Sequence, residues 1–425
     1  MMKIVRIAAL SLCLALLVLP SLAIPIFRPA QSGAEYRVLA DPPLLFDEDA
    51  GVNPDFAGEF EGWLSDHFAF RDAAVRADAQ LNYRLLQTSP NADVVVGRDG
   101  WLYYAESVPD YTGEGRLTDE ELADISDNIA AMAEAFEEHG ASLYVAVIPN
   151  KNTVYPQFMP SRYAAREDEG NIARLEAACA ELPVTWIDLL GPLREAASAD
   201  PLVYYRTDTH WNRYGACLAA DVLLRGMGRE GIGFAVGDDE RYTQGDLARL
   251  MGMPGGLPES APVPSVDIEL PEADYALHAL TVPADGDGRL LVFRDSFGTA
   301  IGPYLAQSYE ETQLRWENPL EVWHECDDAL ILIAERNIRM YLSEPPIMDE
   351  DGEEYYGEEM DGEEEEWDEE PEEEDFEDEY SDEEDLEDGE EDDGEVFEDV
   401  EEDDEDDYEM LQRMREEMRS EEDGF

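Results

Sequence analysis

Residues 117–151 read LTDEELADISDNIAAMAEAFEEHGASLYVAVIPNK. Leu122, Ile125, Ile129, Met132 and Phe136 recur at intervals of three and four, which puts them on one face of a helix. Thr118 and Glu121 have the spacing of a capping box, and Gly140 suits the stop. The pattern predicts a helix over 117–139. Residues 142–148 are then a continuous apolar run closed by Pro149-Asn150-Lys151, the composition of a strand buried on both faces. A helix feeding such a strand predicts a parallel α/β layer.

The same alternation extends outward from this stretch. Helical periodicity appears over 171–180 and 214–227, and a helix is expected over 301–310. Apolar runs at 184–190, 290–293 and 328–334 predict strands. Upstream, residues 94–104 read as a hairpin around Asp99-Gly100. Residues 56–86 read as helical, with His67 as a structural histidine among Phe60, Trp63, Leu64 and Phe68. Residues 228–288 break the rhythm with many Gly and Pro and read as an insertion that crosses or covers the sheet edge. The fold class expected is α/β with a mainly parallel sheet, and no internal repeat is visible.

Charge divides the chain. Residues 349–425 carry 48 acidic and 3 basic residues out of the 104 and 28 in the whole sequence, so residues 1–348 carry 56 and 25, a net −31. A body of that sign repels phosphates, which excludes nucleic acid as a partner. The acidic segment, taken with its boundary as 348–425, is of low complexity and too poor in apolar residues to offset ordering, so disorder is expected. It reads as a solvated repulsive tail, as a store for divalent cations, or as a contact for a basic partner, and it lacks the ligand spacing of an ordered calcium loop.

The N-terminus predicts export. Lys3 and Arg6 precede an apolar run over 7–19, followed by Pro20 and Ser21-Leu22-Ala23. Residues 1–24 read as a cleaved signal peptide or, uncleaved, as a membrane anchor. Either places the remainder outside the cytoplasm, periplasmic or at the cell surface. Residues 25–53 read as a linker and 54–347 as one domain. Cys13, Cys179, Cys217 and Cys326 have neither disulfide-framework nor metal-ligand spacing and read as free thiols. His324 and Cys326 are too loose a pair to imply zinc, and neither metal nor cofactor is expected.

Four polar groups fall at strand ends or in nearby loops: Asn150-Lys151, Asp208-x-His210, Asp295-Ser296 and Arg336-Asn337. Parallel sheets collect functional groups at the carboxyl ends of their strands. Ser296 follows a strand, so its hydroxyl can stand exposed at a strand-to-helix turn, where N–H groups of the next helix would face a developing oxyanion. A serine hydroxyl attacks only when a base takes its proton. His210 is the candidate base, and Asp208 would hold the imidazole in the required tautomer.

At these residues the sequence resembles the DHHW and AlgX/AlgJ families, SGNH-hydrolase-like alginate O-acetyltransferases. Thr207-Asp208-Thr209-His210-Trp211 resembles their Asp-x-His-Trp signature. Stretches 63–71, 97–103, 148–156, 245–250, 295–297 and 335–337 fit the same pattern in the same order. The resemblance implies a three-layer α/β/α domain with a circularly permuted motif order, the Asp-x-His block preceding the serine block. It implies an exported O-acetyltransferase in which Ser296 takes an acetyl group, His210 is the base and Asp208 its orienter. A polysaccharide hydroxyl would accept the acetyl, and a membrane-bound O-acyltransferase would supply it. It further implies Asn337 as an oxyanion donor, with Arg336 an alternative for an anionic sugar, and Lys151 and Trp211 as candidate substrate-binding residues. The serine here follows Arg294-Asp295 rather than a glycine-rich turn, and the net −31 of the body leaves a neutral or cationic polymer as open as alginate. Two other readings stand beside transfer: an acetylesterase with the same triad, and a non-catalytic surface protein whose acidic tail does the work.

Overall fold

In a computed structural model of the chain the described residues are 39–348, apart from 48–50, 68–70, 168, 200, 244 and 323–325. The expected export segment and acidic tail, and His324, lie outside them. Among the described residues no helix is long and apolar enough to cross a membrane.

The expected helix over 56–86 comes as α1 (Phe56–Asp66) and α2 (Arg71–Leu81), followed by one wider turn over Asn82–Leu86. His67 ends α1, with its Nδ1 3.0 Å from the Trp63 carbonyl and its ring stacked on Trp63. β1 (Val94–Val96) and β2 (Leu102–Tyr104) pair antiparallel. Asp99 and Gly100 both have positive φ, 56° and 83°, as a two-residue Asp-Gly hairpin turn requires. α3 (Asp119–Glu138) carries the expected capping box, Thr118 accepting from the Glu121 N–H and Glu121 accepting from the Thr118 N–H. It leads into β3 (Ser142–Ile148).

α4 (Asn171–Cys179), β4 (Thr185–Trp186) and α5 (Leu190–Ala197) follow. The strand expected over 184–190 stops at Trp186 for a local reason. The Asp188 carboxylate accepts from the Leu190 and Gly191 N–H groups, 2.8 and 3.2 Å away, and so starts a helix there. After α6 (Arg213–Gly226), the segment over 228–288 forms a long antiparallel pair, β5 (Phe234–Tyr242) with β6 (Glu259–Val266). A short helix, α7 (Asp246–Leu250), lies between them, and β7 (Ala279–Pro283) completes the segment. The chain then runs through β8 (Arg289–Arg294), α8 (Gly298–Ala306), β9 (Glu311–Arg315) and β10 (Asp328–Ala334). α8 begins three residues earlier than the periodicity suggested, directly behind the Ser296 turn.

The central sheet has six strands in the order β4-β3-β10-β8-β9-β7. Every neighbouring pair is parallel except β7 on β9. β7 comes from residues 228–288 and pairs at the outer edge of the sheet. Alternate residues of the strands enter different cores. Leu290, Val292, Leu330 and Leu332 pack with α6 and α8, while Leu291, Phe293, Ile331 and Ile333 pack with α3 and α4. This two-sided burial explains the unbroken apolar runs and makes the domain a three-layer α/β/α sandwich. Fully burying each such side chain contributes roughly 1.5–3 kcal/mol. A third cluster joins the β1–β2 hairpin to Ala79 and to Leu247, Ala248, Met251 and Met253. Cys179 and Cys217 are buried free thiols, and Cys326 is half-buried.

Since β3, β10 and β8 are adjacent and parallel, their carboxyl ends form one rim. Residues 149–151, 335–337 and 295–296 therefore meet there, and α6 places the preceding loop over 205–212 against the same rim.

Candidate active site

Ser296 sits on the turn between β8 and α8, and the turn is held by its two preceding residues. Asp295 is 2% exposed, and its carboxylate accepts from Phe297 N–H at 3.0 Å, Ala334 N–H at 2.7 Å and Asn337 Nδ2 at 2.8 Å. Arg294 is 1% exposed and donates to the carbonyls of Tyr275, Leu277 and Asp295 and to Thr299 Oγ1. Its guanidinium also lies over the Trp316 ring. The pair that replaces a glycine-rich turn thus anchors the serine to β10 and to the segment before β7.

His210 lies on the loop between the Tyr204–Trp211 bridge partners, just before α6. Asn212 caps α6 by accepting from Gly215 N–H and ties the loop down by donating to the Leu202 carbonyl. From the other side, the Lys151 ammonium donates to the carbonyls of Tyr205, Arg206 and Asp208. Glu259 of β6 accepts from the Arg206 and Thr207 N–H groups and from Thr207 Oγ1. Gly245 packs so closely beneath the loop that a Cβ there would lie 2.4 Å from the Thr207 carbonyl oxygen, which excludes any other residue without a shift.

These supports bring the dyad and the serine together. His210 Nε2 is 2.8 Å from Ser296 Oγ, and His210 Nδ1 is 2.8 Å from Asp208 Oδ1. Asp208 Oδ1 also accepts from the His210 backbone N–H, and Oδ2 accepts from Tyr242 Oη at 2.7 Å and Asp246 N–H at 3.0 Å. The imidazole packs on Phe297, ring centroids 4.7 Å apart, and Trp211 meets the same ring edge-on. The His210 side chain keeps 23% of its surface exposed, so the site opens to solvent on the imidazole side.

The electrostatics follow from these contacts. Burial alone would raise the Asp208 carboxyl, but the hydrogen bond and charge of His210, together with the Tyr242 hydroxyl, hold it well below the usual carboxylate range. Burial alone would lower His210, but the hydrogen bond and charge of Asp208, followed by the charge of Asp246, raise it to about 9. Burial and the neighbouring Asp208 charge push Asp246 up to about 6. Burial lowers Lys151 to about 8, opposed by the charges of Asp246, Asp208 and Glu259.

The other sequence candidates divide into two groups. Lys151 and Trp211, 5% and 1% exposed, stand behind the loop and support it. The Lys151 ammonium is surrounded by loop carbonyls, and the Trp211 indole is packed edge-on against Phe297. Arg336 and Asn337 do reach the rim. Asn337 gives one amide hydrogen to Asp295. The Arg336 guanidinium lies 5.3 Å from the Phe297 ring centroid and 5.5 Å from that of Tyr104. Among the described residues, no carboxylate or carbonyl accepts from it.

Tyr242, Asp246 and Glu259 were not among the sequence candidates. All three come from the insertion; Asp246 falls in the stretch 245–250 that fits the family pattern, while Tyr242 and Glu259 lie outside every such stretch. Asp208, His210 and Asp246 are the group of possible metal-ligand residues found among the described residues. A cation there would have to displace the His210 proton and the Tyr242 hydroxyl from Asp208, so the arrangement is that of a hydrogen-bonded relay.

Three comparisons bear on this geometry. Residues 94–291 match the family model described as SGNH hydrolase-like domain, acetyltransferase AlgX. The probable alginate O-acetylase AlgJ of Pseudomonas putida is 26% identical over 238 residues, 56% of this chain and 60% of that protein. The probable alginate O-acetylase AlgJ of Pseudomonas aeruginosa is 30% identical over 285 residues, 64% of this chain and 66% of that protein. The chain thus spans a little under two thirds of these relatives. Solved structures aligned to it include the O-acetyltransferase domain of Pseudomonas putida AlgJ (20% identity, TM-score 0.41, 58% of this chain and 92% of that one). Another is Bacillus cereus PatB1 (16% identity, TM-score 0.44, 59% of this chain and 99% of that one). The family match runs from the hairpin through the Asp-x-His loop into β8, and over this region the chain is similar to the AlgX/AlgJ-like SGNH hydrolase-like proteins.

Proposed function

We propose that the protein is an extracytoplasmic O-acetyltransferase that moves acetyl groups onto a cell-surface or exported polysaccharide through an acetyl-Ser296 intermediate. The observation that carries this reading is the continuous chain of 2.8 Å contacts from Ser296 Oγ through His210 to Asp208. The family relatives named as alginate O-acetylases support acetyl as the group moved and a polysaccharide as the acceptor. The N-terminal sequence supports action outside the cytoplasm, and the family resemblance suggests a membrane-bound O-acyltransferase as the source of acetyl groups.

In the first half-reaction His210 Nε2 takes the Ser296 hydroxyl proton while Oγ attacks the acetyl carbonyl carbon. Collapse of the tetrahedral intermediate breaks the bond to the donor oxygen, which leaves with the proton from Nε2. In the second half, a sugar hydroxyl gives its proton to Nε2 and its oxygen attacks the acetyl carbon. Ser296 Oγ then leaves and recovers the proton. Asp208 stabilises the imidazolium formed in each half. With His210 raised to about 9, the neutral imidazole is a minor form at pH 7, and acylation is expected to speed up as pH rises towards that value.

The Arg336 guanidinium lies over the ring of Phe297, the residue after Ser296, and its charge acts on His210, which supports a role in meeting negative charge on a developing oxyanion or on the sugar. Arg336→Ala is expected to lower kcat/KM for acetyl transfer by roughly 100-fold, the scale of losing one charge-assisted donor to the transition state. Arg336→Lys should recover only part of this, because a point charge does not reproduce the planar fork. Steady-state kinetics on an activated acetyl ester measure both.

The acceptor decides the reaction class. The full chain is incubated with an activated acetyl ester, with and without candidate neutral, cationic and anionic glycans, and acetate and acetyl-glycan are both quantified. Acetyl on a glycan that requires Ser296 is the expected result. Acetate alone, whatever glycan is offered, would make the protein an esterase instead. The net −31 of residues 1–348 disfavours a polyanionic acceptor, so neutral or cationic glycans are expected to compete best at low salt.

A further inference from the structure

Asp208 is not the only carboxylate on the protonated side of His210. Asp246 Oδ2 lies 3.7 Å from His210 Nδ1, and Asp246 Oδ1 accepts from the Thr209 N–H at 2.7 Å. The Asp246 N–H in turn donates to Asp208 Oδ2. Asp246 therefore grips the Asp208–His210 loop at three points: a backbone amide, a carboxylate and the imidazole. It belongs to the insertion, as the first residue of α7, and Gly245 before it permits the close approach to Thr207.

We propose that Asp246 is a positioning residue for the base, holding the Thr209–His210 backbone through Oδ1 and sustaining the basicity of the imidazole through the charge on Oδ2. This rests on His210 being the base for Ser296. It assigns the insertion a part in catalysis, since β5 contributes Tyr242 and α7 contributes Asp246 to the same relay.

The surroundings decide the sign. The charged and titratable groups facing the imidazole are Asp208 and Asp246 on one side and Arg336 on the other. Those facing Asp246 are Asp208, His210 and Lys151, with Tyr242 bonded to Asp208 beside them and Glu259 opposing the Lys151 shift. A second anion beside Nδ1 favours the imidazolium, so removing it lowers the basicity of His210. Asp246, pushed up to about 6, titrates below neutrality, so this support weakens as pH falls through that value.

The test uses Asp246→Asn in the full chain, since the amide oxygen can keep the Thr209 contact while the charge is lost. Imidazole titration is followed by proton–nitrogen correlation, with the His210 signal identified by its loss in His210→Gln, and the kcat/KM profile for an activated acetyl ester is measured in parallel. The ascending limb and the His210 titration are both expected to move down by about one pH unit, the effect of one carboxylate at this distance. Asp246→Glu should keep the wild-type limb. Wild type alone gives a second measurement: its His210 resonance should show an additional inflection near pH 6 as Asp246 protonates. An unmoved limb in Asp246→Asn with no such inflection in wild type, while Ser296→Ala still abolishes turnover, overturns the role of Asp246 and leaves the triad intact. If Ser296→Ala retains turnover, the triad reading fails and the role of Asp246 falls with it.

Discussion

Ser296→Ala is expected to lower acetyl transfer by about 10⁴-fold or more, because removing the nucleophile of a Ser-His-Asp relay leaves only binding and oxyanion stabilisation. The expectation is firm because nothing nearby can replace it. Ser296 Oγ is the hydroxyl within hydrogen-bond distance of His210 Nε2. The fold should survive the change. Among the described residues Oγ bonds to His210 alone, and the turn is held by Asp295 and Arg294 through bonds that do not involve the serine side chain. Thermal unfolding should therefore stay close to wild type while turnover collapses. A parallel loss of melting temperature would point to a structural serine instead.

The second large effect is expected from Asp208→Asn, with a fall in kcat/KM of about 10⁴-fold at neutral pH, the scale seen when an orienting aspartate is replaced by its amide in such a relay. An amide cannot accept from His210 Nδ1, Tyr242 Oη and the His210 and Asp246 backbone N–H groups as a carboxylate does, since one of its two heads is a donor. It either turns its NH₂ toward the imidazole and selects the wrong tautomer, or breaks the contacts to Tyr242 and Asp246. Asp208 also links charge to stability. His210 is raised above its unfolded value of 6.5 to about 9, so its stabilising interaction is complete below 6.5 and is lost as pH rises through 9. Asp208 is lowered, so its share is present above its unfolded pKa of 3.8 and is lost as pH falls toward the folded value. The pair is one interaction seen from two ends. It stabilises most between about pH 4 and 6.5, and the fall in melting temperature as pH rises from 6.5 through 9 should be weakened in Asp208→Asn.

Much of this site was legible because parallel sheets impose it. Once 142–148, 290–293 and 328–334 read as buried strands, the residues after each had to share a rim, and Ser296 was a named candidate there. The Asp208-x-His210 pair carried its own chemistry. The insertion was opaque for physical reasons. β5 is solvated along much of its length, with Val236 50% exposed, and β6 contains Pro262 and Pro264, so neither gives the alternation that marks a strand. Tyr242, Asp246 and Glu259 reach the loop only through that hairpin, from more than 30 residues away in sequence. Lys151 is a case in which the sequence leaves the direction of the side chain open. A lysine at a strand end looks like a substrate-binding cation, yet its chain runs inward and its charge is absorbed by three carbonyls. Arg294-Asp295 looked like a departure from a glycine-rich turn, and burial shows it to be another way of building the same rigid turn.

The proposed relay predicts a covalent acetyl-Ser296 intermediate, which can be tested for directly. The full chain is mixed with an activated acetyl ester without acceptor, quenched in acid and digested, and the peptide bearing Ser296 is examined by mass spectrometry. The account predicts an added acetyl group on Ser296 that accumulates within the first turnovers, disappears when an acceptor glycan is added, and is absent in His210→Gln. Turnover with no acetyl on Ser296, or acetyl appearing on the glycan at an unchanged rate in Ser296→Ala, would contradict it.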